Sequence, residues 1–220
     1  MVLRYSMIIV VYLLCFISPL IPGFPRHGAA YGDTYTAVFF ATLLIVSLLL
    51  IPERRLERGP VASIGESIAW AVCGVFILFI LQIVTAMINS AILGQPLASE
   101  HTKQVVGLTR NAPLFILAAS IIGPILEEIV FRKIFFGSLK KKIGFLFAAL
   151  ISSLLFAAFH FDFSHLLIYL VIGFFLCYVY HKTGRIVVTM FMHAAMNATV
   201  VLITLNVPTP SSTGWIHLFF

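Results

Sequence analysis

Apolar residues run through this chain in long unbroken blocks, and polar residues gather between them. Seven blocks stand out, at about 5–22, 35–51, 66–92, 113–136, 144–161, 164–180 and 186–206. None alternates as a half-buried strand does, and each is long enough, or nearly so, to cross a bilayer core about 30 Å thick. A backbone in lipid must satisfy its own hydrogen bonds, so these blocks predict helices. The expected fold class is all-α, a polytopic transmembrane bundle of about seven helices. The first block follows Arg4 as a signal peptide would. It lacks a small-x-small cleavage site and ends in Pro19, Pro22 and Gly23, so it reads as a retained helix. The tail from Pro208 turns polar and then aromatic at Trp215, Phe219 and Phe220, which suits an interfacial anchor.

Composition sharpens the picture. Of 220 residues, 61% are hydrophobic and 10% charged, with a mean hydropathy of +1.08. A soluble domain carries roughly 25% charged residues. The length suits one helical bundle without a second soluble domain. The net charge of +6 is unevenly placed. Arg4, Arg54, Arg55, Arg58, Lys133, Lys140, Lys141, Lys142, Lys182 and Arg185 fall at alternate block ends. Arg26, Lys103 and Arg110 fall at the opposite ends. The positive-inside rule then puts the N-terminus inside and the C-terminus outside. No basic run carries interleaved aromatics, so the excess fits anionic lipid and not nucleic acid. Cys15, Cys73 and Cys177 lie inside the blocks without CxxC spacing and read as inert buried thiols.

One block holds an anomaly. Glu127, Glu128 and Arg132 sit within 113–136, and each charge at that depth costs about 2.5–3.5 kcal/mol on insertion scales. On a helix the two glutamates point about 100° apart. Glu128 and Arg132 stand four apart with the acid first, the favourable order for an ion pair. Arg132 reaching to another helix is the rival arrangement. Glu127 is left without a local partner, on a different side. Block five ends Phe156-AAF-His160 and block seven holds His193-AAM-Asn197, each pair on one helical face. Glu127, His160, His193 and Asn197 are types that activate a water and stabilise an oxyanion. Glu127, His160 and His193 are also a three-ligand zinc set with an open fourth position. Taken singly, each is as easily helix-to-helix glue. There is no HExxH motif. Asp162, Ser164 and His165 read as the turn and cap into block six, with His165 a reserve candidate for the site. His181 reads as a solvated interfacial residue. His27, His101 and His217 fall outside the blocks with no clustered partner.

Together, EExxxR at 127–132, FxxxH at 156–160 and HxxxN at 193–197 resemble the motifs of the CAAX-protease and bacteriocin-processing (CPBP, Abi) family of intramembrane proteases. All three occur in the family's order, across roughly residues 113–200. The resemblance implies a peptidase of the CAAX prenyl protease type, glutamate-dependent or metallo-, with its site in a membrane cavity. Glu127 would act with His160 on the attacking water. His193 and Asn197 would form the oxyanion side, and Glu128, Arg132 and Phe156 would orient the motifs. The cofactor is none or zinc, with Asn197 favouring none. The chain divides into N-terminal helices without motifs (1–112), a catalytic core (113–206) and a tail (207–220). Its expected partners are a peptide or protein substrate at the membrane and the bilayer, in a bacterial inner membrane. The competing class is a non-catalytic scaffold or bacteriocin self-immunity protein on the same fold. A transporter is disfavoured, because no paired broken helices appear in two related halves.

Overall fold

A computed structural model describes residues 2–55, 61–95 and 99–206, and these contain no strand. Arg58 and the aromatic tail with Trp215, Phe219 and Phe220 lie outside the described residues. The chain opens with α1 (Val2–Ile17), α2 (Gly28–Leu50) and α3 (Ile64–Leu93). Ser63 starts α3 with a capping box: its hydroxyl accepts the Glu66 amide at 3.2 Å, and the Glu66 carboxylate accepts the Ser63 amide at 2.8 Å.

Among the described residues six stretches are long and apolar enough to cross a membrane, and the fourth, Phe115–Ala158, has 44 residues. Straight, it would extend about 66 Å, roughly twice a hydrocarbon core. Gly144 breaks it, with φ 79° and ψ 176°, a backbone region that essentially only glycine enters. The chain then folds back. Phe136 packs edge-on against Phe145, and the Ser152 hydroxyl donates to the Phe131 carbonyl at 2.7 Å. Residues 115–143 are α5 and residues 145–158 are α6, antiparallel neighbours. With α7 (Leu166–Thr183) and α8 (Ile186–Asn206), the described residues hold seven apolar helices, one for each block. The chain is an integral membrane protein.

The blocks did not reveal α4 (Glu100–Asn111), because it is only 12 residues long and amphipathic. It buries Val106 and Thr109 and exposes Glu100, Lys103 and Arg110. Ser99 caps it by accepting the Thr102 amide at 3.2 Å.

Two large apolar clusters and a smaller one of Phe136, Ala148, Ala149 and Cys177 hold the bundle. Ile8, Tyr12, Phe39 and Val46 of the first two helices pack on Leu126, Ile129 and Phe131 of α5. Leu78 and Ala86 of α3 pack against Ile172, Leu176 and Met192. The first two helices thus form the wall behind α5, while α3 lies against α7 and α8. The basic helix ends meet one another: Lys133 pairs with Glu53 at 2.7 Å, Lys140 with His181 at 2.6 Å, and Arg185 donates to the Ala62 carbonyl at 2.9 Å. His181 is exposed there, as its basic surroundings suggest. Within α5, the Gly123 amide bonds to the Ala118 carbonyl and the Gly137 amide to that of Arg132. These five-residue spacings widen the helix on both sides of the glutamates. Such π-helical turns occur often at functional sites.

Candidate active site

The expected pair forms. Arg132 Nη1 lies 3.1 Å from Glu128 Oε1, and both side chains are fully enclosed. Arg132 also reaches other helices: Nη2 donates to the Gly173 carbonyl of α7 at 3.4 Å, and its guanidinium lies 4.2 Å over the Phe156 ring of α6. One residue therefore satisfies both arrangements weighed from the sequence. Phe156 serves as the apolar floor of that cation.

Glu128 does more than neutralise Arg132. The same Oε1 accepts from His193 Nδ1 at 3.1 Å. The other nitrogen of that ring, Nε2, faces Glu127 Oε2 at 3.6 Å, too far for a direct hydrogen bond. Glu127 is therefore not without a partner. The angle between adjacent helical residues lets two carboxylates straddle one imidazole from α8. Glu127 Oε2 is buried and accepts no hydrogen bond among the described residues.

His160 lies just beyond α6. Its ring is 4.6 Å from that of Phe156, which in turn is 5.6 Å from that of His193. Both histidines thus flank one phenylalanine. His160 Nδ1 lies 2.8 Å from the Phe156 carbonyl. A carbonyl only accepts, so Nδ1 carries a proton, and in the neutral ring Nε2 then keeps its lone pair. A cavity of about 100 Å³ is lined by Phe156, His160, His193 and Asn197, together with His101 and Tyr169. Glu127 is not part of this lining and meets it through His193.

Three features were not found from the sequence. His101 has a partner after all: α4 brings its ring to 5.3 Å from that of His160. Tyr169 stacks on His160 at 4.0 Å. Asp162 makes no side-chain cap to the turn that follows it. Its carboxylate turns instead to Ser99 Oγ at 2.7 Å and His165 Nδ1 at 3.0 Å. The short amphipathic pattern of residues 100–111 was the signal that would have placed His101 on a helix.

The donors are not gathered around one point for a metal: among the described residues no three His, Cys, Asp or Glu side chains are arranged to hold an ion. The zinc set of Glu127, His160 and His193 is not assembled in this geometry.

Comparison with known proteins agrees with the motifs. A family profile described as type II CAAX prenyl endopeptidase Rce1-like matches residues 109–199. YdiL of Bacillus subtilis (strain 168), named a candidate membrane peptidase, is 38% identical over 219 residues, covering 92% of this chain and 90% of YdiL. The membrane-embedded CAAX protease MroQ of Staphylococcus aureus (strain USA300) is 32% identical over 173 residues, 76% of this chain and 70% of MroQ. The UPF0177 protein YxdF of Lactococcus lactis subsp. lactis (strain IL1403) is 42% identical over 79 residues, 35% of this chain and 42% of YxdF. No solved structure matches.

Proposed function

The chain belongs to the CAAX-protease and bacteriocin-processing family of membrane peptidases, and we propose that it hydrolyses peptide bonds at the membrane with a water activated by Glu127 and His160. The observation that carries this reading is His193 held between Glu128 and Glu127, on the same cavity as His160 and Asn197. Two carboxylates, one guanidinium and one imidazole meet here. With one proton held between His193 Nε2 and Glu127 the four sum to zero charge, the state that enclosure favours. Nδ1–H then donates to Glu128, and Nε2–H is available to an oxyanion.

The steps follow from the donors and acceptors. Glu127 and His160 Nε2 both accept from the water and hold it. The water oxygen bonds to the scissile carbonyl carbon as its proton passes to Glu127. The carbonyl π pair becomes an oxyanion that accepts from His193 Nε2–H and the Asn197 amide. The carbon–nitrogen bond then breaks as Glu127 passes its proton to the leaving amine. Glu128 and Arg132 keep the imidazole in register. The substrates are membrane-associated peptides or proteins, and the basic helix ends face the cytoplasm of a bacterial cell.

Glu127→Gln tests this. Profiling of peptide termini in membranes carrying the wild-type chain should reveal new ends that the variant does not make, with cleavage down about 10²–10⁴-fold for loss of a general base. The same termini appearing at full yield with Glu127→Gln would refute the mechanism. They would favour a scaffold role for the motifs.

A further inference from the structure

The residue after His160 is strained. Phe161 takes φ 52°, a left-handed conformation that costs a non-glycine residue roughly 1–2 kcal/mol. Such strain persists only where its surroundings hold it. Three helices hold this turn. Asn89 of α3 donates to the Ser164 carbonyl at 2.7 Å. At the start of α4, the Ser99 hydroxyl donates to the Asp162 carboxylate. From α7, Tyr169 stacks on the His160 ring at an interplanar angle of 24°.

Chemistry fixes the direction of the bonds. A carboxylate only accepts, so Ser99 spends its proton on Asp162 Oδ2 at 2.7 Å. The Tyr169 hydroxyl, 3.2 Å from Ser99 Oγ, must then donate to it. His165 Nδ1–H donates to the other oxygen, Oδ1, at 3.0 Å. Asp162 is therefore the terminal acceptor of a chain that runs from the stacking partner of His160. It faces two donors at once. Burial raises the Asp162 carboxyl, but the bonds from His165 and Ser99 lower it by more and keep it ionised. Asp162 does not line the central cavity.

We propose that Asp162 is a positioning residue for His160: by fixing Tyr169 and docking α4, it holds the strained turn that aims the imidazole. This rests on the peptidase reading only for its catalytic consequence. An amide at this position keeps the shape but sets N–H against donors, so Asp162→Asn is the informative variant. Tyr169→Phe keeps the stack and loses only the hydroxyl.

The full chain in lipid nanodiscs is labelled with diethyl pyrocarbonate, and modification of each histidine is followed by mass spectrometry. Asp162→Asn should raise the modification rate of His160 several-fold and leave that of His193 unchanged. An unchanged His160 rate, or an equal rise at both histidines, overturns the proposal. The second would show a general loosening. Turnover is measured with peptides carrying the termini found above. There, kcat should fall about 10- to 100-fold for a sub-ångström misplacement of His160, with KM within about twofold. Tyr169→Phe should lower kcat less, and adding it to Asp162→Asn should change little, since both act through one chain. Selective labelling with wild-type kcat would overturn the catalytic role. If Glu127→Gln leaves cleavage intact, the peptidase reading fails while the labelling still decides what Asp162 holds.

Discussion

Consider removing the charges of the buried pair one at a time and then together. Glu128 and Arg132 are both 0% exposed and 3.1 Å apart. At an effective dielectric near 20 their attraction is about 5 kcal/mol, in line with the roughly 3–5 kcal/mol lost when one partner of a buried pair is removed. Glu128→Gln strands a guanidinium whose remaining contacts are a 3.4 Å bond to the Gly173 carbonyl and the face of Phe156. Arg132→Met strands a carboxylate that still accepts from His193, so its loss should fall at the lower end. For a chain of this size, such losses lower a thermal midpoint by roughly 6–20 °C, read by intrinsic fluorescence in mild detergent. The double variant removes both charges and should be more stable than either single variant. Its activity should stay low, because His193 Nδ1–H then faces a neutral amide. A double variant as unstable as the sum of the two singles would refute the pairing.

Four further outcomes are expected. Gly144→Ala meets no steric neighbour but forces a side chain into a glycine-only conformation, so the α5–α6 reversal should lose about 1–3 kcal/mol, seen as lower yield of folded protein. A methyl at Gly173 would sit 3.1 Å from Phe156 Cδ1 and Ser153 Cβ. Gly173→Ala should therefore cost about 1–3 kcal/mol by overpacking. Gly74→Ala meets only the flexible end of Met192 and should leave the thermal midpoint nearly unchanged. Burial lowers the titration of His101 below its ordinary value. The unfolded chain therefore binds a proton first as pH falls below about 6.5. Stability that is full above that pH should decline on acidification, and less so in His101→Gln, as judged by thermal midpoints at pH 7 and pH 5.

The bundle was legible because lipid admits so few backbone solutions. Seven apolar blocks sufficed for seven helices, and the i,i+4 order of Glu128 and Arg132 sufficed for their pair. Contacts between helices were less legible. Spacing along α5 says that Glu127 and Glu128 diverge. It cannot say that a single ring from α8 fits between them, because the width of an imidazole is not a property of the helix that receives it. His101 was set aside because hydropathy averages over windows longer than α4. The same averaging hid Asp162, whose partners Ser99 and His165 lie 63 residues and three residues away. A carboxylate read as a cap for its own helix is in fact an acceptor for another.

A carboxylate pair in a membrane faces opposed demands. It must be cheap enough to insert, yet one member must stay open to chemistry. The order of the chain separates the two. Glu128 and Arg132 lie on one helix, so α5 enters the bilayer with that pair already closed, independent of any later segment. Glu127 has no counterpart on α5. Its facing nitrogen comes from His193 on α8, the last helix among the described residues. The charge that α5 can neutralise alone is the structural one. The charge that needs the assembled bundle is the one assigned to catalysis. Completion of the site is thereby tied to completion of the fold, and an unfinished bundle lacks the neutral four-group cluster on which the proposed water activation depends.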